Sequence, residues 1–252
     1  MSSATEGRSL WADNADHWIV ALLAIAVLGV MAPLLGVWEP WEADAASVAQ
    51  NMLASGQWLQ VVVGADGSGQ AVSELPFGFW PIAGSVAVFG VNELGLRLPG
   101  ILLAVTVLLL VFNTTRRVSD RWTAWLAVTI LLILPIFGFH SRFALGHATT
   151  MMMVTIACLS FCQLRLSPDR THWAWVGWVA TAFAGLSGGV PALVVPVVTV
   201  IALVFTRGPS EAPDGPRLRL FSGVPLAIML VLVGLGWWRA SVYRPDGAPL
   251  ET

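Results

Sequence analysis

The chain has 252 residues, of which 56% are hydrophobic and 11% charged, where a soluble domain carries roughly 25% charged residues. Its mean hydropathy is +0.76 and its formal net charge is -2. These values exclude an ordinary water-soluble domain and, with no long basic run, a nucleic-acid-binding role. All 13 basic residues are arginine, which also excludes lysine-based chemistry.

Residues 1–17 form a polar N-terminus with Glu6, Asp13 and Asp16, expected in the cytoplasm. The first apolar stretch, 18–38, has no basic n-region or convincing cleavage site, and is read as a retained membrane helix. A spanning helix needs about 20 apolar residues to cross roughly 30 Å of hydrocarbon. Further spans are expected at 94–115, 122–140, 146–166, 173–189, 191–206 and 221–238. The expected fold class is therefore an all-α membrane protein with about seven transmembrane helices, the bundle of later spans covering 94–238. Cys158 and Cys162 lie four apart in one of these apolar segments and read as small packing residues.

Between the first two spans, 39–93 is expected to be an external loop carrying two interfacial helices. Residues 43–54 have helical spacing, with Val48, Met52 and Leu53 apolar and Asp44, Ser47, Gln50 and Asn51 polar, ending at Ser55-Gly56. A Gly-rich turn covers 64–69. The second helix, 76–91, is too short to span and contains Pro81 and Gly84, so it is assigned to the membrane surface or to a re-entrant segment.

Arginine placement sets the orientation. Arg116, Arg117, Arg121, Arg165, Arg170, Arg207, Arg217 and Arg219 share a side with the N-terminus, while Arg97, Arg142, Arg239 and Arg244 lie opposite. The positive-inside rule then places the N-terminus in the cytoplasm and the tail 239–252 outside. Trp11, Trp18, Trp38, Trp41, Trp122, Trp173, Trp237 and Trp238 fall near span ends, where the headgroup zone favours their rings.

Several stretches carry a family likeness in order. They are Trp41-Glu42-Ala43-Asp44, then Asn51-Met52-Leu53-Ala54-Ser55-Gly56-Gln57-Trp58-Leu59, Ser73-Glu74-Leu75-Pro76 with Phe79-Trp80, and Phe89-Gly90-Val91-Asn92-Glu93 with Arg97-Leu98-Pro99. Ser141-Arg142-Phe143-Ala144 and the turn from Gly185 to Pro191 follow. This series resembles the N-terminal half of the GT-C glycosyltransferases, in the protein-mannosyltransferase and aminoarabinose-transferase branch. The resemblance implies transfer of a sugar from a polyprenyl-phosphate carrier to a lipid, protein or glycan acceptor in the bacterial inner membrane. It makes Glu42 the candidate base, with Asp44 and His147 as further candidates, and Arg97 and Arg142 the cations for the donor phosphate. A divalent metal ion is expected if the chain is catalytic.

Position by position, the first residue of the family's acidic pair falls on Trp41. The lysine of its Glu-Lys-Pro motif falls on Glu74, the aspartate of its second outer loop on His147, and the lysine of its Leu-Thr-Lys-Gly-Pro turn on Gly188. These departures keep a second function open, a non-catalytic membrane subunit that uses the fold to hold lipids or other membrane subunits. A transporter is the weaker third reading, because the spans carry almost no ionisable residues and no evident inverted repeat.

Overall fold

The computed structural model describes residues 3–30, 36, 40–64, 70–72, 74–144, 146–166, 170–205 and 221–242. The end of the first expected span, most of the Gly-rich turn, the residues carrying Arg207, Arg217 and Arg219, and the expected tail with Arg244 lie outside the described residues. The protein is an all-α membrane protein. Among the described residues, three helices are long and apolar enough to cross a bilayer, and a bent pair makes a fourth if it counts as one span.

Helix α1 (Ser3–Gly29) packs against α4 (Glu93–Val118). Val20, Ala24 and Leu28 of α1 meet Ala104, Leu108 and Phe112 of α4, with Ala124 and Val128 of α5 (Arg121–Ile133) closing the cluster. Spacings of four residues put each set on one helix face. Asn92 starts α4 as an N-cap, its side-chain oxygen accepting the Gly95 N–H at 2.8 Å. The expected span 122–140 is not one helix. It breaks at Leu134, which is extended before Pro135, and α6 (Pro135–Arg142) leaves at 68° to α5, because the proline ring disfavours α geometry in the residue before it.

The segment between α1 and α4 forms a layer on one end of the bundle. Helix α2 (Trp41–Ser55) has Glu42 and Asp44 in its first turn, where carboxylates favour the helix dipole. It ends at Gly56, which adopts φ 70° and donates its N–H to Met52 O. The next segment is not only a turn. Val61–Val63 (β1) and Gln70–Val72 (β2) pair antiparallel with Val61 opposite Val72, and the Asn51 amide ties this hairpin to α2 through the Val62 and Gly64 carbonyls at 2.8 and 3.0 Å. The expected helix 76–91 divides into a 3-10 turn, Pro76–Gly78, and α3 (Trp80–Phe89). Ala45, Val48, Ala49 and Met52 of α2 bury against Val61, Ile82, Ala83 and Val86, and against Leu96 of α4.

Helices α7 (His147–Leu166) and α8 (His172–Phe205) complete the bundle with α9 (Val224–Val242). Helix α8 is broken at Gly189, which adopts φ 69° and ψ -162°. Its two arms fold back on each other: a Cβ at Gly185 would lie 2.9 Å from Leu193 Cδ2, although eight residues of straight helix advance about 12 Å. Both arms flank α7, for Ala180 and Val200 share one cluster with Ala157, Phe161 and Leu164. Close approach at Gly223 to Trp178 and at Gly234 to Leu186 seats α9 on the first arm.

Candidate functional site

Two loci on the layered end of the bundle gather the residues that the sequence singles out. The first is an ion pair. Glu42 is 0% exposed and Arg97 2%. Arg97 donates from Nε to Glu42 Oε1 at 2.9 Å and from Nη2 to Oε2 at 2.6 Å, a bidentate arrangement. The Ala144 N–H also donates to Glu42 Oε1, at 3.1 Å. Arg97 Nη2 reaches the Gly36 carbonyl at 2.8 Å, and its guanidinium lies 5.5 Å from the Phe143 ring centre. The first turn of α2, the first turns of α4 and the chain leaving α6 are thus joined at one buried point.

This geometry alters two expectations. The resemblance makes Arg97 a cation for the donor phosphate and Glu42 the candidate base. The structure turns them towards each other. In this arrangement both Glu42 oxygens accept guanidinium protons. The signal in the sequence was an arginine inside an apolar run near the start of a span, where an uncompensated charge is costly and calls for an anion. Its partner, far off along the chain, is identified only by the fold.

Arg142 ends α6 and donates from Nη2 to the Val27 carbonyl at 2.7 Å, in the last turn of α1. It caps a helix end whose carbonyls carry partial negative charge. Its Nε is buried and has no hydrogen-bond partner among the described residues. Asp44 is exposed on α2, its backbone carbonyl accepting the Ser47 hydroxyl at 2.8 Å.

The second locus is a junction of three chain segments. The 3-10 turn enters it at Gly78, where a Cβ would lie 3.0 Å from the Gly146 carbonyl oxygen and 3.6 Å from that of Ser187. Gly146 adopts φ 69° and lies against the Phe79 ring. The Thr149 hydroxyl donates to the Gly78 carbonyl at 3.4 Å, and that of Thr150 to Ser187 Oγ at 3.0 Å. Glu74 and His147 are exposed at the ends of these segments. Gly188 packs directly on Thr150 Cγ2, leaving no room for a side chain. Three of the positions that depart from the family motifs, Glu74, His147 and Gly188, therefore belong to this one junction.

A strip of rings runs from the ion pair towards the junction. Phe139 is 4.8 Å from Phe143 and 5.7 Å from His140, and the His140 and His147 ring centres are 6.2 Å apart. His140 Nδ1 hydrogen-bonds the Ile136 carbonyl at 2.9 Å. Among the described residues no three His, Cys, Asp or Glu side chains gather as a metal shell.

The family model described as dolichyl-phosphate-mannose-protein mannosyltransferase matches residues 73–237. The chain belongs to that family. Among its relatives, an uncharacterized protein of Aquifex aeolicus is 28% identical over 80% of this chain and 38% of its own length. The undecaprenyl phosphate-alpha-4-amino-4-deoxy-L-arabinose arabinosyl transferase 1 of Sodalis glossinidius is 27% identical over 92% of this chain and 41% of its own. In fold the chain is similar to ArnT from Cupriavidus metallidurans in the apo state, with TM-score 0.72 and 22% identity over 90% of this chain and 41% of that one. It is also similar to the same protein bound to undecaprenyl phosphate, with TM-score 0.70 and 21% identity over 87% and 40%. The chain thus spans about two fifths of the length of the curated relatives it matches.

Proposed function

We propose that the chain forms the carrier-handling part of a membrane glycosyltransferase, which draws a sugar from a polyprenyl-phosphate donor and passes it to a lipid, protein or glycan acceptor. The observation that carries this reading is the fold match, over 87% of the chain, to a structure with undecaprenyl phosphate bound. Relatives named as undecaprenyl phosphate-linked arabinosyl transferases support it. Seven crossings with the N-terminus in the cytoplasm of a bacterial inner membrane set the α2–α3 layer at the outer leaflet, where a lipid-borne donor arrives sideways.

In this reading Glu42 and Arg97 are a positioning pair that fixes the layer on the bundle, and Glu42 acts as base only in a state where the pair has opened. The exposed Asp44 and His147 need no such opening to take a proton from an acceptor hydroxyl or amine. Arg142, with its unpartnered Nε, supplies the cation for the donor phosphate. The test is carrier binding by the chain in lipid nanodiscs. Undecaprenyl phosphate is expected to bind saturably and more tightly than the uncharged polyprenol of the same length; equal binding of the two removes the reading.

The buried ion pair, together with Trp41, Glu74 and Gly188 at the family's acid and lysine positions, favours a second reading, a non-catalytic subunit retaining the fold. It predicts stable co-purification with other membrane subunits. A chain that runs alone in mild detergent and transfers sugar would remove it.

A further inference from the structure

The end of the bundle opposite the α2–α3 layer is basic. Arg116 and Arg117 close α4, Arg121 opens α5, Arg165 lies in the last turn of α7 and Arg170 precedes α8. The acidic groups whose side chains are described at this end are Asp16 and Asp120, and Glu6 and Asp13 lie on the preceding turns of α1. Asp16, 1% exposed, accepts from Arg121 at 2.8 and 2.6 Å and from Arg116 at 3.3 Å. One carboxylate thus serves two guanidiniums, and among the described side chains at this end arginines outnumber carboxylates. Arg117 donates to Gln163 at 3.4 Å, and the buried Gln163 donates to Thr114 at 3.3 Å. These contacts bring the end of α4, with Arg117, beside the last turn of α7, which carries Arg165.

Apolar surface begins beside Arg121, at the α4–α5 turn. Trp122 is 82% exposed, and Leu126, Ile130 and Ile133 follow it on the same exposed face of α5 at spacings of four, four and three. The stripe runs about 16 Å along the helix axis. A cluster of guanidiniums above an apolar stripe, with a tryptophan at the boundary, complements an amphiphile with an anionic head.

We infer that the α4–α5 turn and the end of α7 hold the headgroup of an anionic phospholipid, with an acyl chain lying along the α5 stripe. Guanidiniums pair with phosphate through several N–H donors, and Arg121 is held in place by the buried Asp16 carboxylate. The site is at the other end of the bundle from the ion pair and the junction, and does not depend on the sugar-transfer reading.

The test is native mass spectrometry of the purified chain titrated with phosphatidylglycerol, with phosphatidylcholine of the same acyl chains, and with inorganic phosphate. Phosphatidylglycerol is expected to be retained at least about tenfold better than phosphatidylcholine. Arg117→Gln and Arg165→Gln, which leave the Asp16 pairs in place, are each expected to lower its retention about fivefold, while Arg117→Lys keeps most of it. Asp120→Asn removes a repelling charge but keeps a helix-capping side chain, so it is expected to raise retention, a gain that misfolding cannot produce. Equal retention of the two lipids, or no response to the arginine and Asp120 variants, overturns the inference. Displacement of the lipid by millimolar inorganic phosphate assigns the arginine cluster to a free anion and also overturns it.

Discussion

The Glu42–Arg97 pair gives the sharpest test of how this fold is held. Its two contacts, at 2.9 and 2.6 Å, are made by groups 0% and 2% exposed. Water cannot replace either partner there. Removing one charge from a buried pair leaves the other uncompensated and costs about 3–5 kcal/mol. At about 2–4 °C per kcal/mol for a chain of this size, Arg97→Met and Glu42→Met are each expected to lower the melting temperature by roughly 6–20 °C. The double variant leaves no charge unpaired, and replacing a buried pair by apolar side chains is often close to neutral. It is therefore expected to be more stable than either single variant. The assay is thermal unfolding of all four proteins in one detergent, followed by circular dichroism. Strictly additive losses would show that the two residues do not stabilise each other, and would refute the brace.

Other elements make further predictions. Gly189→Ala forces a side chain into a backbone region that glycine alone adopts readily, and is expected to cost about 1–3 kcal/mol, read from thermal unfolding; an unchanged melting temperature would mean the α8 break does not need this conformation. Gly188→Ala is expected to destabilise by about 1–3 kcal/mol through overpacking on Thr150, and Thr150→Ser, which deletes the clashing methyl, to restore part of the loss; a companion variant without effect would place the clash elsewhere. Asp120 caps α5, and its carboxyl is held below the usual aspartate range first by the Thr123 hydroxyl, then by the Trp122 and Thr123 N–H groups and the Ser119 hydroxyl. A lowered folded value means the contribution is present above the unfolded value of about 3.9 and is lost as pH falls through the folded one. The stability difference between wild type and Asp120→Ala should thus hold from neutral pH to about pH 5 and shrink only in stronger acid, and its disappearance by pH 6 would rule out the capping carboxylate.

Much of this architecture was legible in the sequence because single residues act locally. Ser55-Gly56 marked the end of α2, and the Gly188-Gly189-Val190-Pro191 run marked a boundary where α8 does break. Other features depended on signals too short or too distant to read. Three consecutive valines are enough for a strand only because Asn51 and Ser47 of α2 hold the hairpin, Ser47 Oγ accepting the Gly64 N–H at 3.1 Å. Pro135 had a local signal, but the apolar run continues through it, and hydropathy does not register a bend. The ion pair was illegible for a different reason. Either charge, taken alone, resembles a ligand-binding group, and the sequence separation of 55 between them carries no periodicity that would join them.

The departures from the family motifs acquire a common physical sense once the junction is seen. Gly188 has no side chain because Thr150 fills the space beside it, and Thr150 is held there by its hydrogen bond to Ser187. Gly78 and Gly146 bring two backbones together where any side chain would press on a carbonyl or on the Phe79 ring. The space that a long basic side chain would need at Gly188 is thus occupied by packed backbone and a threonine methyl, and a single substitution back to lysine would meet that packing. Glu74 adds a negative charge at the end of the same 3-10 segment. In the proposed function a phosphate at this end takes its cation from Arg142, which also caps α1 through the Val27 carbonyl. Binding of an anion there and the seating of α1 therefore share one guanidinium, so the exit of the first helix is mechanically tied to the proposed carrier site.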